Sequence, residues 1–500
     1  MRLLGVALGR RGCGKRSVRS LAVGWLAMAL ACATAPVSAA WTQMSKLQAR
    51  GAQVSAAVMD LQSGQMLATK NADSRLSPAS LSKLVIAAAA LDTWPASKTF
   101  RTRVYGLAPL KNGEINGDLL LHGEHDATFQ HRDLLALSAQ IVGAGVKAIH
   151  GGITVSTAPF GALGCETKDR CDALEQSGTA YHAPLSAMGV DYGTWCVMVK
   201  PLRPGLPADV RACGGAPMPI PMEGKIKTIS AKGKQTFWVE RLTDAGGDRL
   251  RLSGNAPARA PTKLFRAMSD PSLGAGLLLR AHLREMGIRI LGPVGVSSER
   301  PPANAQRLAQ VESLSLKEQI GRMMRFSNNY VADVLTLSMD KHRTGQAADQ
   351  LADASNSLNR FVHRTQGEHR QSQPPSLLSG SGLTPESRIS AAELVRMLAY
   401  QYRDTRNFPA FYGSLTVPRQ APFRYVRQGN ADWLDRVALK TGSMSQPRSV
   451  LGLSGYMRKK NGGWMAFATI VNGGPQLKRV PMHQAMQASR KDLEALMRKY

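Results

Sequence analysis

Ser80 and Lys83 stand three residues apart at the head of an almost wholly apolar run, Ser80-Leu81-Ser82-Lys83-Leu84-Val85-Ile86-Ala87-Ala88-Ala89-Ala90-Leu91. On a helix this spacing puts both side chains on one face about a turn apart, within hydrogen-bonding reach. A serine hydroxyl is a weak nucleophile at neutral pH until an adjacent base takes its proton. A lysine serves as that base only with a lowered pKa, which burial in an apolar helix or a second cation would bring about. The helix N-terminus also offers N–H groups to a developing oxyanion. Ser-x-x-Lys on its own arises often by chance, as an N-capping serine followed by a snorkelling lysine. Two further sets give it company. Ser327-Asn328-Asn329 falls where one amphipathic helix stops and the next, from Tyr330, begins, a place where short polar side chains can be held in a cleft. Lys440-Thr441-Gly442 ends an apolar strand, where lysine and threonine can hold a carboxylate and glycine admits a ligand's backbone.

The elements around these residues follow from pattern. The helix opened by Ser80 is hydrophobic all round and must be buried, and Pro95 helps end it. Val54 to Thr69 reads as two short strands around the turn Asp60–Gly64. Val437–Lys440, Val450–Met457 and Gly463–Asn472 read as an antiparallel meander, followed by a helix whose Met482, Met486, Leu493, Leu496 and Met497 form a packing stripe. Ala275–Met286 reads as a helix stopped by Gly287, and Ser315 with Glu318 forms a capping box for a helix through Met324, with a linker near Glu299–Pro302 between them. Residues 102–259 differ, being short alternating segments broken by Gly, Pro, Asn and Asp, and they read as a β-rich unit of their own.

The chain has 500 residues, 43% hydrophobic and 20% charged, which suits a globular protein of at least two domains and excludes a mainly disordered chain, a collagen-like repeat or a multi-span membrane protein. Arg2, Arg10, Arg11, Lys15, Arg16 and Arg19, then the apolar Leu21–Ala33, then Val37-Ser38-Ala39 make a secretory signal peptide over residues 1–39. Export predicts a periplasmic, cell-envelope location. It also makes disulfides available to the four cysteines beyond the leader, Cys165, Cys171, Cys196 and Cys213, whose proximity favours the pairs 165–171 and 196–213. The net charge is +29, and +23 without the six basic residues of the leader, so the excess belongs to the exported chain. It calls for anionic surroundings, an envelope polymer with peripheral association rather than nucleic acid. Scattered histidines, and the lack of an H-E-x-x-H or a phosphate-cradling loop, call for no metal and no cofactor.

Ser-x-x-Lys opening a helix, Ser-x-Asn between helices and Lys-Thr-Gly before a hairpin, in that order, resemble the penicillin-recognising serine acyltransferases. The 247 residues from Ser80 to Ser327 leave room for an inserted unit, as in the D-alanyl-D-alanine carboxypeptidase/endopeptidases of peptidase family S13, the class C low-molecular-mass penicillin-binding proteins. The resemblance extends to the Asn71–Ser80 approach, Gly117–Asp126, Tyr181–Ala187, Ser269-Asp270-Pro271, Gly380-Ser381-Gly382-Leu383 and Leu453-Ser454-Gly455-Tyr456. It implies an α/β (α+β) fold with an antiparallel sheet flanked by helices, built from residues 40–101 and 260–500 and interrupted by a β-rich insert over 102–259. It further implies a serine peptidase acting on peptidoglycan stem peptides and inhibited by β-lactams. Ser80 would be the acylated nucleophile, Lys83 the base, Ser327 and Asn329 a proton relay and amide ligand, and Lys440 an electrostatic partner. Thr441 and Gly442 would help seat the substrate, the N–H groups of Ser80 and Ser443 would form the oxyanion hole, and Met444 would lie by the substrate's side chain or in the core.

Three departures from the family pattern leave side-chain specificity open. Ser156 stands where an acidic residue is usual after the Gly152–Val155 strand, and Ser379 replaces the aspartate before Gly-Ser-Gly-Leu. Ala421-Pro422-Phe423-Arg424-Tyr425 stands in place of a glycine-rich stretch upstream of Lys-Thr-Gly. A β-lactamase-like hydrolase and a weakened peptidoglycan-binding protein are the alternative readings.

Overall fold

The computed structural model describes residues 40–161, 163, 170, 171 and 178–500. The expected signal peptide, residues 1–39, and Cys165 lie outside the described residues. Five antiparallel strands form a central sheet in the order Met66–Lys70, Gln53–Asp60, Trp464–Asn472, Val450–Arg458, Val437–Met444. Both faces are covered, and the strand sequences alternate between two cores. Val54, Ala56, Val58, Leu439, Leu453 and Phe467 pack with the helices Thr42–Ala49 and Met482–Lys499. Ala57, Met59, Ala438, Tyr456, Ala468 and Ile470 pack against the helical layer on the other side. A period of two is what a sheet between two apolar layers demands.

The centre of that helical layer is Ser82–Thr93, in which every residue from Ser82 to Leu91 is buried. Burying each Leu, Val or Ile contributes about 1.5–3 kcal/mol, which offsets the cost of carrying a lysine into the same core. Around it lie Leu316–Phe326, Asn329–Thr344, Leu351–Thr365 and Ala391–Arg403. The fold is thus the mixed α/β arrangement with an antiparallel sheet between helices.

A second core draws on residues from Val104 to Ala309. It joins short strands to two helices, His131–Gly143 and Pro271–Glu285. The sequence reading closed the inserted unit at residue 259, but the strands continue beyond it. Arg289–Ile290, Val294–Ser297 and Gln306–Glu312 pair with Ala148–Ile149, Ile153–Ser156 and Arg101–Gly106. Strands of two to seven residues leave little periodicity, and their partners lie more than a hundred residues away, so pattern alone does not assign them. No helix among the described residues is long and apolar enough to cross a membrane.

Candidate active site

Ser80 does not sit in the helix proper. It lies in a 3₁₀ turn, Ala79–Leu81, and the α-helix begins at Ser82. Ala79 has φ +45°, a left-handed conformation held by buried surroundings. The edge strand of the sheet comes very close to this turn. A Cβ on Gly442 would stand 2.6 Å from the Pro78 carbonyl oxygen and 3.1 Å from the Ser80 amide nitrogen. Only glycine permits that approach.

Lys83 is fully buried, and its Nζ has three neighbours. It lies 3.0 Å from Ser80 Oγ, 2.7 Å from Asn329 Oδ1 and 2.7 Å from the Ser381 carbonyl oxygen. Desolvation lowers its pKa well below the ordinary lysine value, with the Lys440 charge adding to the effect, Asp333 opposing it and Arg170 reinforcing it. A neutral amine has two N–H donors and one lone pair. In that form the two carbonyl oxygens can accept both donors and leave the lone pair for the Ser80 hydroxyl proton, while the ammonium formed on taking it finds its third acceptor in Ser80 Oγ. The orientation of the Asn329 amide agrees, since its Nδ2 donates to the Tyr181 carbonyl oxygen at 3.1 Å.

Ser327 occupies the left-handed C-cap of the Leu316–Phe326 helix at φ +51°, and Asn328 caps the next helix through the Val331 N–H. The polar pair is therefore turned out between two helix ends. Lys440 Nζ donates to Ser327 Oγ at 3.0 Å and to the Thr441 carbonyl oxygen at 2.7 Å. Burial alone depresses Lys440 to a pKa of about 7.

Lys-Thr-Gly does not end its strand as the sequence suggested. Pairing with Val450–Leu453 continues through Met444. The small and polar residues break the apolar pattern but not the backbone ladder. At Leu439 both the N–H and the C=O bond to Thr416, away from the neighbouring strand. With a period of two, the N–H groups of Thr441 and Ser443 face the same open edge. Burial raises the Tyr425 hydroxyl pKa, and the neighbouring Thr441 side chain opposes the rise. Met444, half-buried, lines clefts at the far end of the strand.

Ser80, Lys83, Ser327, Asn329 and Lys440 thus share one cleft, and Thr441, Gly442, Ser443 and Met444 run along its edge. Sequence reasoning missed the support behind it. Asp333, fully buried, accepts from the Ser381 N–H at 2.8 Å and from Arg170 Nη2 at 2.6 Å. Ser381 is thereby held by Asp333 at its amide and by Lys83 at its carbonyl. Asp333 follows Asn329 by four residues on one helix face, the signal that could have found it. Ser379 stands behind the same loop, its Oγ accepting from the Gly382 N–H at 3.1 Å. Ser156 is buried and donates to the Glu299 carbonyl oxygen at 2.7 Å. Cys196 and Cys213 are joined by a disulfide, and Cys171 is disulfide-bonded as well.

A sequence model of the D-Ala-D-Ala carboxypeptidase 3 (S13) family matches residues 35–493. A D-alanyl-D-alanine carboxypeptidase of Actinomadura sp. (strain R39) is 30% identical over 445 residues, 85% of this chain and 78% of that one. The D-alanyl-D-alanine carboxypeptidase DacB of Haemophilus influenzae is 22% identical over 87% of this chain and 89% of its own length. The crystal structure of penicillin binding protein 4 from H. influenzae superposes with a TM-score of 0.69 at 19% identity, covering 92% of this chain and 99% of that one. The same protein complexed with a β-lactam superposes with a TM-score of 0.66.

Proposed function

The chain belongs to the D-Ala-D-Ala carboxypeptidase 3 (S13) family and is a serine-type D-Ala-D-Ala carboxypeptidase, and from that premise we propose that Ser80 carries its acyl-enzyme. The substrate is the peptidoglycan stem peptide, and β-lactams inhibit by acylating the same hydroxyl. The observation that carries this reading is the placement of a fully buried Lys83 Nζ 3.0 Å from Ser80 Oγ, with the Asn329 and Ser381 carbonyl oxygens at 2.7 Å able to take both N–H donors of its neutral form.

Lys83 takes the hydroxyl proton as Oγ bonds to the carbonyl carbon of the penultimate D-alanine. The Ser80 and Ser443 N–H groups stabilise the oxyanion, the second from the open strand edge. Lys440 and Thr441 attract the terminal carboxylate, while Asn329 holds the substrate amide. The C–N bond breaks as the proton held by Lys83 is relayed through Ser327 to the leaving nitrogen, which leaves Lys83 neutral again. Water then attacks the ester carbonyl as Lys83 takes its proton, and that proton returns to Ser80 Oγ as the C–O bond breaks. The first 39 residues and the wall substrate together support export to the periplasm.

Labelled penicillin is expected to mark the wild-type protein covalently and persistently, and to leave Ser80→Ala unmarked, while a pentapeptide substrate releases D-alanine. Folded wild type that takes no label would sink the assignment of Ser80. Rapid loss of label without D-alanine release would favour a β-lactamase instead.

A further inference from the structure

Tyr330 follows Asn329 directly in the first turn of the Asn329–Thr344 helix, so the two side chains leave the helix about 100° apart. Asn329 turns to Lys83 in the cleft. Tyr330 is buried and turns instead to the segment Ser186–Gly193, its hydroxyl donating to the Ser186 carbonyl oxygen at 3.1 Å. That segment belongs to the stretch read from the sequence as the insert.

Two glycines make room for the ring. A Cβ on Gly189 would overlap the Tyr330 hydroxyl oxygen and stand 3.0 Å from Cζ, and one on Gly193 would stand 3.0 Å from Cε2. This socket is held from the second core. Met188 and Val190 are buried there, and Ser186 Oγ accepts from the Met188 N–H at 3.0 Å and lies 2.6 Å from Ser272 Oγ. Asp191 and Tyr192 have φ +48° and +65°, followed by Gly193 at +69°. Left-handed residues other than glycine persist only where their surroundings over-determine them. Here the Asp191 N–H donates to the Phe129 carbonyl oxygen at 2.9 Å, its carbonyl accepts from Thr194 Oγ1 at 2.6 Å, and its carboxylate meets His131 Nδ1 at 3.2 Å.

The same stretch grips the helix on either side of Tyr330. The Tyr181 carbonyl oxygen accepts from Asn329 Nδ2 at 3.1 Å, and Arg170 donates to Asp333 one turn further along. Asn329, Tyr330 and Asp333 thus each take a contact from the insert. Side chains reach about 5–6 Å from a helix axis, so a rotation of this helix by about 10° would move the Asn329 amide by about 1 Å relative to Lys83. Two anchored side chains about 100° apart oppose that rotation, and only one of them lies in the cleft.

We infer that Tyr330 is a positioning residue for acyl transfer: seated in the glycine socket of the insert, it fixes the rotation of the helix that presents Asn329 to Lys83 and to the substrate amide. The inserted unit is thereby part of the catalytic apparatus. This inference rests on Ser80, Lys83 and Asn329 acting as proposed above.

The test compares four forms of the processed full chain: wild type, Gly189→Ala, Tyr330→Phe and the double variant. In Gly189→Ala the new methyl displaces Tyr330, and the second-order rate of penicillin acylation is expected to fall about tenfold, with kcat/KM for D-alanine release from a pentapeptide falling alike. Labelling should still reach one penicillin per chain, so that the slow rate belongs to the whole folded population. Tyr330→Phe loses only the bond to Ser186 and should stay within about threefold of wild type. Added to Gly189→Ala, it removes the overlapping oxygen and should bring the rate back to within about threefold of Tyr330→Phe alone, a coupling expected of residues in contact. If Gly189→Ala does not fold, Tyr330→Leu, which empties the socket, should show the same tenfold loss at full labelling. A rate within about twofold of wild type in either variant overturns the inference. So does a double variant as slow as Gly189→Ala, or a smaller labelled fraction that reacts at the wild-type rate, which would mark the contact as a matter of folding alone. Wild type that takes no penicillin fails the reading of Ser80 instead.

Discussion

Two buried lysines share one cleft, and their partners give them different work. Lys83 meets the Ser80 hydroxyl and two carbonyl oxygens, whereas Lys440 meets the Ser327 hydroxyl and one carbonyl and faces the place proposed for a carboxylate. Burial holds Lys440 at about 7. Because the fold disfavours its charged form, the associated stability is fully present above the unfolded value and is lost as pH falls toward 7. Over that window the loss amounts to about 5 kcal/mol. Lys440→Met is therefore expected to raise the melting temperature at pH 7 by about 2 °C or more while suppressing turnover. In wild type, kcat/KM should fall as pH rises through about 7, since neutral Lys440 no longer attracts the substrate carboxylate. A bound carboxylate favours the ammonium, so the same limb should lie higher in kcat. Lys440→Arg, charged throughout, should flatten it. A wild-type kcat/KM that stays level from about pH 6 to 9 would remove Lys440 from this role. The five central residues were legible because each rests on a short spacing with intrinsic chemistry. Asp333, Arg170 and the carbonyls of Ser381 and Tyr181 were not, because their contribution exists only once four distant segments have packed together.

At the scale of elements, the distance between the edge strand and the 3₁₀ turn sets the site, and Gly442 sets that distance. An added methyl would meet the Pro78 carbonyl oxygen at 2.6 Å, a backbone atom that cannot swing aside. Gly442→Ala should therefore push the strand from Ser80 by a fraction of an ångström and misplace the Ser443 N–H. A full ångström of misplacement costs up to about 100-fold, so this smaller shift is expected to slow acylation by penicillin by about tenfold or more, measured as a second-order rate, with the circular dichroism spectrum retained. A rate within threefold of wild type would show that the strand does not fix the nucleophile's surroundings. The buried helix and the meander could be read directly, since an all-apolar run and three apolar strands with tight turns leave few alternatives. The extension of the strand through Met444 and of the second core to Ala309 could not, because glycine, serine and two-residue strands carry pairing that sequence pattern does not show.

For the whole molecule the charge is the remaining feature, and it acts at a different range from the catalytic lysines. Beyond residue 39 the chain carries 58 basic against 35 acidic residues, and exposed pairs such as Arg419 with Asp435 neutralise only some of them. A peptidoglycan layer rich in carboxylates would attract such a surface without any fitted contact, over a distance set by the Debye length of about 10 Å at 0.1 M salt. Retention of this kind is screened, whereas chemistry among Ser80, Lys83 and Lys440 is shielded by burial. The two should separate on a salt titration. Co-sedimentation with purified sacculi is expected to drop by about fivefold or more between 50 and 500 mM sodium chloride, while acylation by penicillin changes by less than about twofold. Sedimentation that ignores salt would show that the protein grips the wall through specific contacts, and the cationic surface would then have no part in holding it there.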